Sequence, residues 1–310
     1  MCRRVTNGAH MTKVQIPNYS IDRLKGEDPA SQDLMAARFD EYLSTRDYLF
    51  QPHRHSFYHL VYFSKGEGRH SIDFASFPVT RGQIYFMNPG QVHNWEFSGE
   101  VDGYIVNFSP RFFELFLARP DYLGQFSFFS GQSAEQVIDL SITAQQQVTE
   151  LFEKILDEVR IRKEMSADMI LTFLLQIFIL VDRIVSAARP EADPVPKPSR
   201  LILKNFRKLI EENFMKMKLP KEYAALLYVT PNYLNSLCQD VLGIAAGEVI
   251  RERIILEAKR LLVNATLSIT EIAYRLNFQD NSYFSKFFKK HTGVTPEDFR
   301  KQYHILTANQ

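Results

Sequence analysis

The sequence predicts an α+β chain of two domains: a β-barrel with helices after it, then an all-α unit built on an internal repeat. Three observations carry that reading. Short runs rich in β-branched and aromatic residues, bounded by turn signals, fill residues 14–108. Four prolines crowd the stretch "ARPEADPVPKPSR", Ala188 to Arg200. Beyond them, two segments align with each other at an offset of 49 to 50 residues.

At 310 residues the chain has room for two domains of ordinary size. A content of 45% hydrophobic and 24% charged residues is that of a globular protein in water. Cys2 and Cys238 match no zinc or disulfide spacing, so a reducing cytoplasm is the expected compartment. The start "MCRRVTNGAH MTKVQIPNYS" lacks the apolar core of a signal peptide, and Met11 is a second candidate start. The apolar stretch "MILTFLLQIFILV", Met169 to Val181, is thirteen residues between Asp168 and Asp182. That is too short for a bilayer, so its expected place is a core or a subunit interface, with no membrane partner.

The strands come first. "YHLVYF", "HSIDF", "QIYFMN" and "GYIVNF" are divided by Gly66, Gly68, Pro78, Gly82, Pro89-Gly90 and Gly103. Short strands at this spacing make a barrel or a sandwich. After Pro110 the period changes. "TAQQQVTELFEKILDEVRIRK" places Val148, Leu151, Phe152, Ile155 and Val159 on one helical face, and an apolar helix follows over 167–187. Two such helices form either a dimerisation hairpin or a cap on the barrel. The dimer is the preferred reading, with Leu174 and Phe178 expected at its interface. The prolines then impose an extended linker. The expected division is 1–109 barrel, 110–187 helical dimerisation region, 188–199 linker and 200–310 helical unit.

The repeat pairs "EYAALLYVTPNYLNSLCQDVLG" with "EIAYRLNFQDNSYFSKFFKKHTG". Ala224 matches Ala273, Leu227 matches Leu276, Tyr233 matches Tyr283 and Gly243 matches Gly293. Each copy reads as a short helix, a tight turn and a second helix, with the alanine allowing close crossing: helix-turn-helix logic. The second helices keep Phe284, Phe287 and Phe288 inward. Outward they present Asn232, Asn235, Ser236 and Gln239 in copy one, and Ser282, Ser285, Lys286, Lys289 and Lys290 in copy two. Amides suit adenine edges in the major groove, and lysines suit guanine or phosphate. From Ser199 onward there are 17 Lys and Arg against 11 Asp and Glu, whereas the rest of the chain is net acidic. A basic end carrying two polar helix faces is expected to bind double-stranded DNA.

The segment "AKRLLVNATLSITEIAYRLNFQDNSYFSKFFKKHTGVTPEDFRK", Ala258 to Lys301, resembles the AraC/XylS family of bacterial transcription regulators. Leu219 to Arg251 resembles the family's first helix-turn-helix, with "GIAAGEVIR" in place of a more usual aromatic-containing turn. "PHRHSFYHLVYFSKGEGRHSIDF" and "GQIYFMNPGQVHNWEF" are similar to its cupin-like sensor barrel. The resemblance implies a long helix joining the two halves and recognition helices in successive major grooves. It also implies a small-molecule effector such as a sugar or an aromatic acid, with RNA polymerase and a second copy of the chain as further partners.

Three histidines, His53, His55 and His59, stand in "QPHRHSFYHL", and His93 follows in "PGQVHNW". Cupin enzymes hold a metal with a His-x-His pair, a Glu four residues on and a distant His; here His59 occupies the acidic place. These four are the candidate metal ligands. The preferred reading is nonetheless a ligand pocket or hydrogen bonding within the barrel, with no metal and no cofactor. His70 is read as packing or surface. Effector-lining candidates are His53, His55, Tyr58, Tyr62, Tyr85, Asn88, His93 and Trp95, with strand alternation turning about half of them outward. No phosphate-binding loop, nucleophile elbow or HExxH motif stands in the chain, so no catalytic residue is assigned. The alternative is a cupin-type metal-dependent enzyme fused to a DNA-binding domain.

Overall fold

The computed structural model describes residues 16–25, 33–114, 122–188, 196–263 and 266–308. The N-terminal leader with Cys2 and Met11, and Pro190 and Pro194 of the linker, lie outside the described residues. The chain forms two compact units, one built on residues 17–209 and the other on 210–239 and 243–310.

The first unit holds ten strands: β1 (Asn18–Tyr19), β2 (Leu34–Arg38), β3 (His53–His55), β4 (Tyr58–Lys65), β5 (Gly68–Ile72), β6 (Ala75–Val79), β7 (Gln83–Met87), β8 (Val92–Phe97), β9 (Asp102–Phe108) and β10 (Val137–Asp139). Short helices α1 (Ile21–Lys25), α2 (Phe39–Leu43) and α3 (Pro110–Glu114) connect them, before the long α4 (Ile142–Ile161) and α5 (Ser166–Ala187). The strands form two five-stranded sheets, β1-β3-β8-β5-β6 and β10-β7-β4-β9-β2, rather than one closed barrel. Among the described residues only β1–β3 pairs parallel.

Alternation along β4, β7 and β9 divides two cores. Val61, Phe63, Tyr85, Met87 and Ile105 lie in one cluster with Trp95 and Ile72 of the opposing sheet. Leu60, Tyr62, Ile84, Phe86, Val106 and Phe108 lie in the other, against α4 and α5. The second sheet is therefore apolar on both faces, which is why its strands read as nearly continuous hydrophobic runs.

Helix α4 begins at Ser141, whose Oγ accepts from the Ala144 amide at 3.3 Å. Its predicted apolar face holds: Val148, Leu151, Phe152 and Ile155 are buried. Helix α5 runs 22 residues, longer than the thirteen-residue apolar stretch, and so meets the length and composition of a membrane span. Its buried face of Ile170, Leu171, Leu174, Ile177, Phe178 and Val181 joins the core beneath the sheet instead. Leu174 and Phe178, expected at a dimer interface, are thus core residues with no exposed surface. The residues α5 exposes are Ala167, Met169, Thr172, Gln176, Ile179, Arg183, Ser186 and Ala187.

The second unit is helical. Helix α6 (Lys197–Asn213) runs across the division at 209/210 and starts three residues ahead of the expected boundary, with Pro198 in its first turn. Proline is tolerated there because first-turn amides have no intrahelical partner. Then come α7 (Pro220–Leu226), α8 (Pro231–Leu242), α9 (Ala246–Leu262), α10 (Ile269–Arg275), α11 (Asn281–Thr292) and α12 (Pro296–Ala308). Ala224 and Ala273 are fully buried where the short helices cross, as their size requires. Leu234, Leu237 and Cys238 of α8 and Phe284 and Phe288 of α11 point inward, with Phe287 half-buried.

Candidate functional site

The helical unit presents two matched helices. Helices α8 and α11 are 12 residues each. Thr230 Oγ1 accepts from the Tyr233 amide at 3.1 Å, and Asp280 Oδ1 from the Tyr283 amide at 2.7 Å. Both helices end on a left-handed glycine, Gly243 at φ +73° and Gly293 at φ +83°. The preceding turns match too: Tyr228 and Asn277, equivalent in the repeat, both sit near φ +55°. Helix α10 opens with a reciprocal cap that explains the "SITE" motif. Ser268 Oγ accepts from the Glu271 amide and Glu271 Oε2 accepts from the Ser268 amide.

Asn232, Asn235, Ser236 and Gln239 are exposed on α8, and Ser282, Lys286, Lys289 and Lys290 on α11. Ser285 is half-buried and donates to Asn281 Oδ1 at 3.2 Å. Two of the amides are already engaged. Asn235 Oδ1 accepts from the Ala246 amide at 3.2 Å, capping α9, whose N-cap Ala245 has no side chain to do so. Gln239 Nε2 donates to the Gly243 carbonyl at 3.0 Å. A bidentate grip on adenine needs both ends of an amide. Of the four polar side chains expected on α8, Asn232 and Ser236 take no part in these two bonds.

Two positions escaped the sequence reading. Arg300 donates to the carbonyls of Leu262 at 3.0 Å and Leu267 at 2.7 Å, holding α12 against the end of α9. It is the arginine of the "TPEDFR" ending, so its place in that motif was the available signal. Lys218 donates to the Asn277 carbonyl at 2.6 Å with its ammonium 3.6 Å from the Phe278 ring centroid. It ties the start of copy one to the turn of copy two. Burial pushes its pKa down to about 8, which leaves it mostly charged at neutral pH.

In the β unit, five histidines gather between the sheets, all nearly without exposed surface: His53, His55, His59, His70 and His93. Register brings them together. His53 faces His93 across β3–β8, Ile72 faces His93 across β5–β8, and His59 faces Asn107 across β4–β9. Period-two spacing then adds His55 and His70 to the same side. His70 is therefore neither surface nor simple packing: its Nε2 lies 3.0 Å from His93 Nδ1. His93 Nε2 lies 2.9 Å from His55 Nε2. His53 Nδ1 donates to the Gln51 carbonyl at 2.7 Å, and His59 Nδ1 to Asn107 Oδ1 at 2.5 Å. Burial pushes the His53 pKa down to about 4 and that of His59 to about 3, and holds His55, His70 and His93 well below the usual range. All five are neutral at pH 7.

The other effector candidates separate by face. Trp95 and Tyr85 share the interior with the histidines, although the Tyr85 hydroxyl is spent on Pro78 and Gln83. Tyr58 and Tyr62 point the other way, into the layer beneath α4 and α5, where Tyr58 stacks on Phe108 and Tyr62 on Phe152. They do not line the histidine interior, because their even positions on β4 face outward. Asn88 follows β7 and donates to the Phe129 carbonyl at 3.0 Å. Trp95 also lines an open cleft of about 520 Å³ with Asp40, Asp47, Phe50, Glu96 and Phe97.

Helix-turn-helix repeats, following in sequence a two-sheet domain with buried histidines between its sheets, define a DNA-binding regulator carrying a ligand-binding domain. Comparison with known proteins agrees. A helix-turn-helix domain model matches residues 223–302, and the AraC-like ligand binding domain matches 41–173. The chain is 22% identical over 285 residues to the HTH-type transcriptional activator RhaR of Escherichia coli O139:H28, covering 91% of this chain and 97% of that one. It is 31% identical over 106 residues to the uncharacterized HTH-type transcriptional regulator YijO of Escherichia coli K12, spanning 38% of that protein's length. Among solved structures, the C-terminal domain of AraT from Geobacillus stearothermophilus aligns at 32% identity and TM-score 0.31, covering 33% of this chain and 84% of that one. ToxT from Vibrio cholerae aligns at 13% identity and TM-score 0.41, covering 86% and 98%. The chain carries an AraC-type helix-turn-helix domain and an AraC-like ligand-binding domain, and its homologues are AraC-family transcription regulators.

Proposed function

We propose that this regulator reads one operator through both helix-turn-helix units, is switched by a small molecule bound in its β domain, acts as a cytoplasmic homodimer and is not an enzyme. The observation that carries the reading is the match of α8 and α11 in length, caps and exposed polar faces. Two identically built helices in one unit fit successive major grooves on one side of a duplex. Asn232, Ser236, Ser282 and Lys286 are assigned to base edges. Lys289 and Lys290, at the helix end, are assigned to phosphates.

The cleft beside Trp95 is the entry assigned to the effector. Its aromatic rings suit the apolar face of a sugar or an aromatic acid, and its polar rim orients hydroxyls. The exposed side of α5, with Met169 and Ile179, is the surface assigned to the partner copy. RNA polymerase is the further partner of a DNA-bound activator. The division of labour is 1–109 for sensing, 110–187 for dimerisation, and the α6–α12 region for DNA, with the proline-rich stretch between them.

Selection of bound duplexes from a random pool tests this. The expected outcome is one enriched sequence with two contacted patches about 10 bp apart on one face. Equal binding of all sequences, or a footprint confined to one groove, would overturn it. A thermal-shift screen of sugars and aromatic acids tests the sensor, because a ligand bound only by the native state raises its stability.

A further inference from the structure

The histidine cluster is organised beyond what packing needs. His53, His55 and His93 are buried, and each offers a ring nitrogen within 4.8 Å of the others. Their ring centroids lie 4.2 to 4.8 Å apart. Hydrogen bonds set the ring protons. The Gln51 carbonyl can only accept, so His53 carries its proton on Nδ1 and leaves a lone pair on Nε2. The same holds for His59, held by Asn107 Oδ1. Both Nε2 atoms, with His55 Nδ1 and His70 Nδ1, are buried without a hydrogen-bond partner among the described residues. Orphaned ring nitrogens at this density are costly, because each forfeits its solvation without return. The 2.9 Å between His55 Nε2 and His93 Nε2 is a hydrogen-bond distance, and it is also the spacing of two donors about 90° apart on one ion with bonds near 2.0–2.1 Å.

We infer that the β domain binds a single divalent transition-metal ion on His53, His55 and His93, with His70 as the positioning residue behind His93 and His59 as a neighbouring fourth imidazole. The arrangement around His93 is the usual one for a metal-bound imidazole: one ring nitrogen for the ion, the other hydrogen-bonded to a group that fixes the ring. Metal binding asks only for a tautomer in which His55 and His93 keep their protons on Nδ1, so no proton has to leave. Neutral nitrogen donors select zinc, nickel, copper or cobalt over magnesium or calcium. Three ligands leave an open position, and a dication on uncharged imidazoles favours an anionic occupant there. This reverses the preference drawn from the sequence, in which no metal was expected. It concerns the β unit alone and depends neither on DNA binding nor on the effector.

The test uses the full chain, stripped with EDTA and incubated separately with Zn(II), Ni(II), Cu(II) and Co(II), then desalted and analysed for metal. The expected result is about one equivalent of at least one ion, since a preformed buried site retains its metal. X-ray absorption of the loaded wild type should show an imidazole shell, at about 2.0–2.1 Å for zinc. His70→Gln should weaken the site by about 10–100-fold while leaving the ligands in place. The combined His53→Ala, His55→Ala, His93→Ala variant, checked for folding by circular dichroism, should bind none. Well below one equivalent of every ion on folded wild type would overturn the proposal. So would full binding by the folded triple variant, or a shell without imidazole, a measurement that stands even if the triple variant does not fold.

Discussion

Replacing Asn235 with alanine removes the one side-chain cap that α9 has among the described residues. The Ala246 amide lies at the buried start of that helix, and its partner is Asn235 Oδ1 at 3.2 Å. The residue before it, Ala245, cannot substitute. Losing a cap costs about 0.5–2 kcal/mol, and a stranded buried donor about 1–3 kcal/mol, so about 1.5 kcal/mol is expected here. In a helical unit near 100 residues that lowers the transition by roughly 4–8 °C per kcal/mol. Asn235→Asp separates stability from DNA recognition. It keeps the accepting oxygen and adds a negative charge at a helix N-terminus, so the fold should hold. It loses the amide donor and repels phosphate, so DNA binding should fall. The assay is calorimetry on the full chain, following the transition of the helical unit, alongside fluorescence anisotropy on specific and scrambled duplexes. If Asn235→Ala leaves the transition unchanged while specificity drops, the residue reads bases and the capping argument is wrong.

Four further outcomes are expected. Tyr228 sits at φ +55° with 96% of its surface exposed, so Tyr228→Asn, copying Asn277, should stabilise the DNA-free protein by about 1 kcal/mol; an unchanged urea midpoint would count against strain there. Arg300→Ala should cost about 1.5–3 kcal/mol through its two carbonyl bonds, and Arg300→Lys should not restore it, because an ammonium cannot span both oxygens; a wild-type melting curve for either variant refutes this. Phe178→Ala should cost about 3–5 kcal/mol as a core cavity, whereas Ile179→Glu should leave folding intact and shift sedimentation toward monomer; the opposite pattern would return Phe178 to the interface. Lys289→Ala and Lys290→Ala should each flatten the salt dependence of DNA binding by about one unit, while Asn232→Ala should cost about 1–3 kcal/mol on the specific site alone; a reversed pattern would exchange the assigned roles.

The sequence was most legible where structure is local. The period change after Pro110, the paired alanines and the paired glycines Gly243 and Gly293 all signal within one or two helical turns. Helix and turn chemistry depends on neighbours at that range. The reciprocal cap of Ser268 and Glu271 is equally local, spanning only four residues, although the sequence reading did not single it out. Even α5 was anticipated over 167–187, one residue short of its start at Ser166, though its buried face was not.

What the sequence determined by itself is the order of elements, the repeat and the polarity of its outward faces, because these follow from period and composition. Tertiary structure alone decided which side of each strand meets which core. That choice sent Tyr58 and Tyr62 beneath the helices and gathered five histidines from three separate segments. A one-residue change of register would reverse every side chain on a strand, and nothing local to "YHLVYF" states which register wins. It is set by burial of two apolar faces at once, a property of the whole sheet. The capping role of Asn235 was hidden for the same reason: its partner, Ala246, is adjacent only once α8 and α9 have packed.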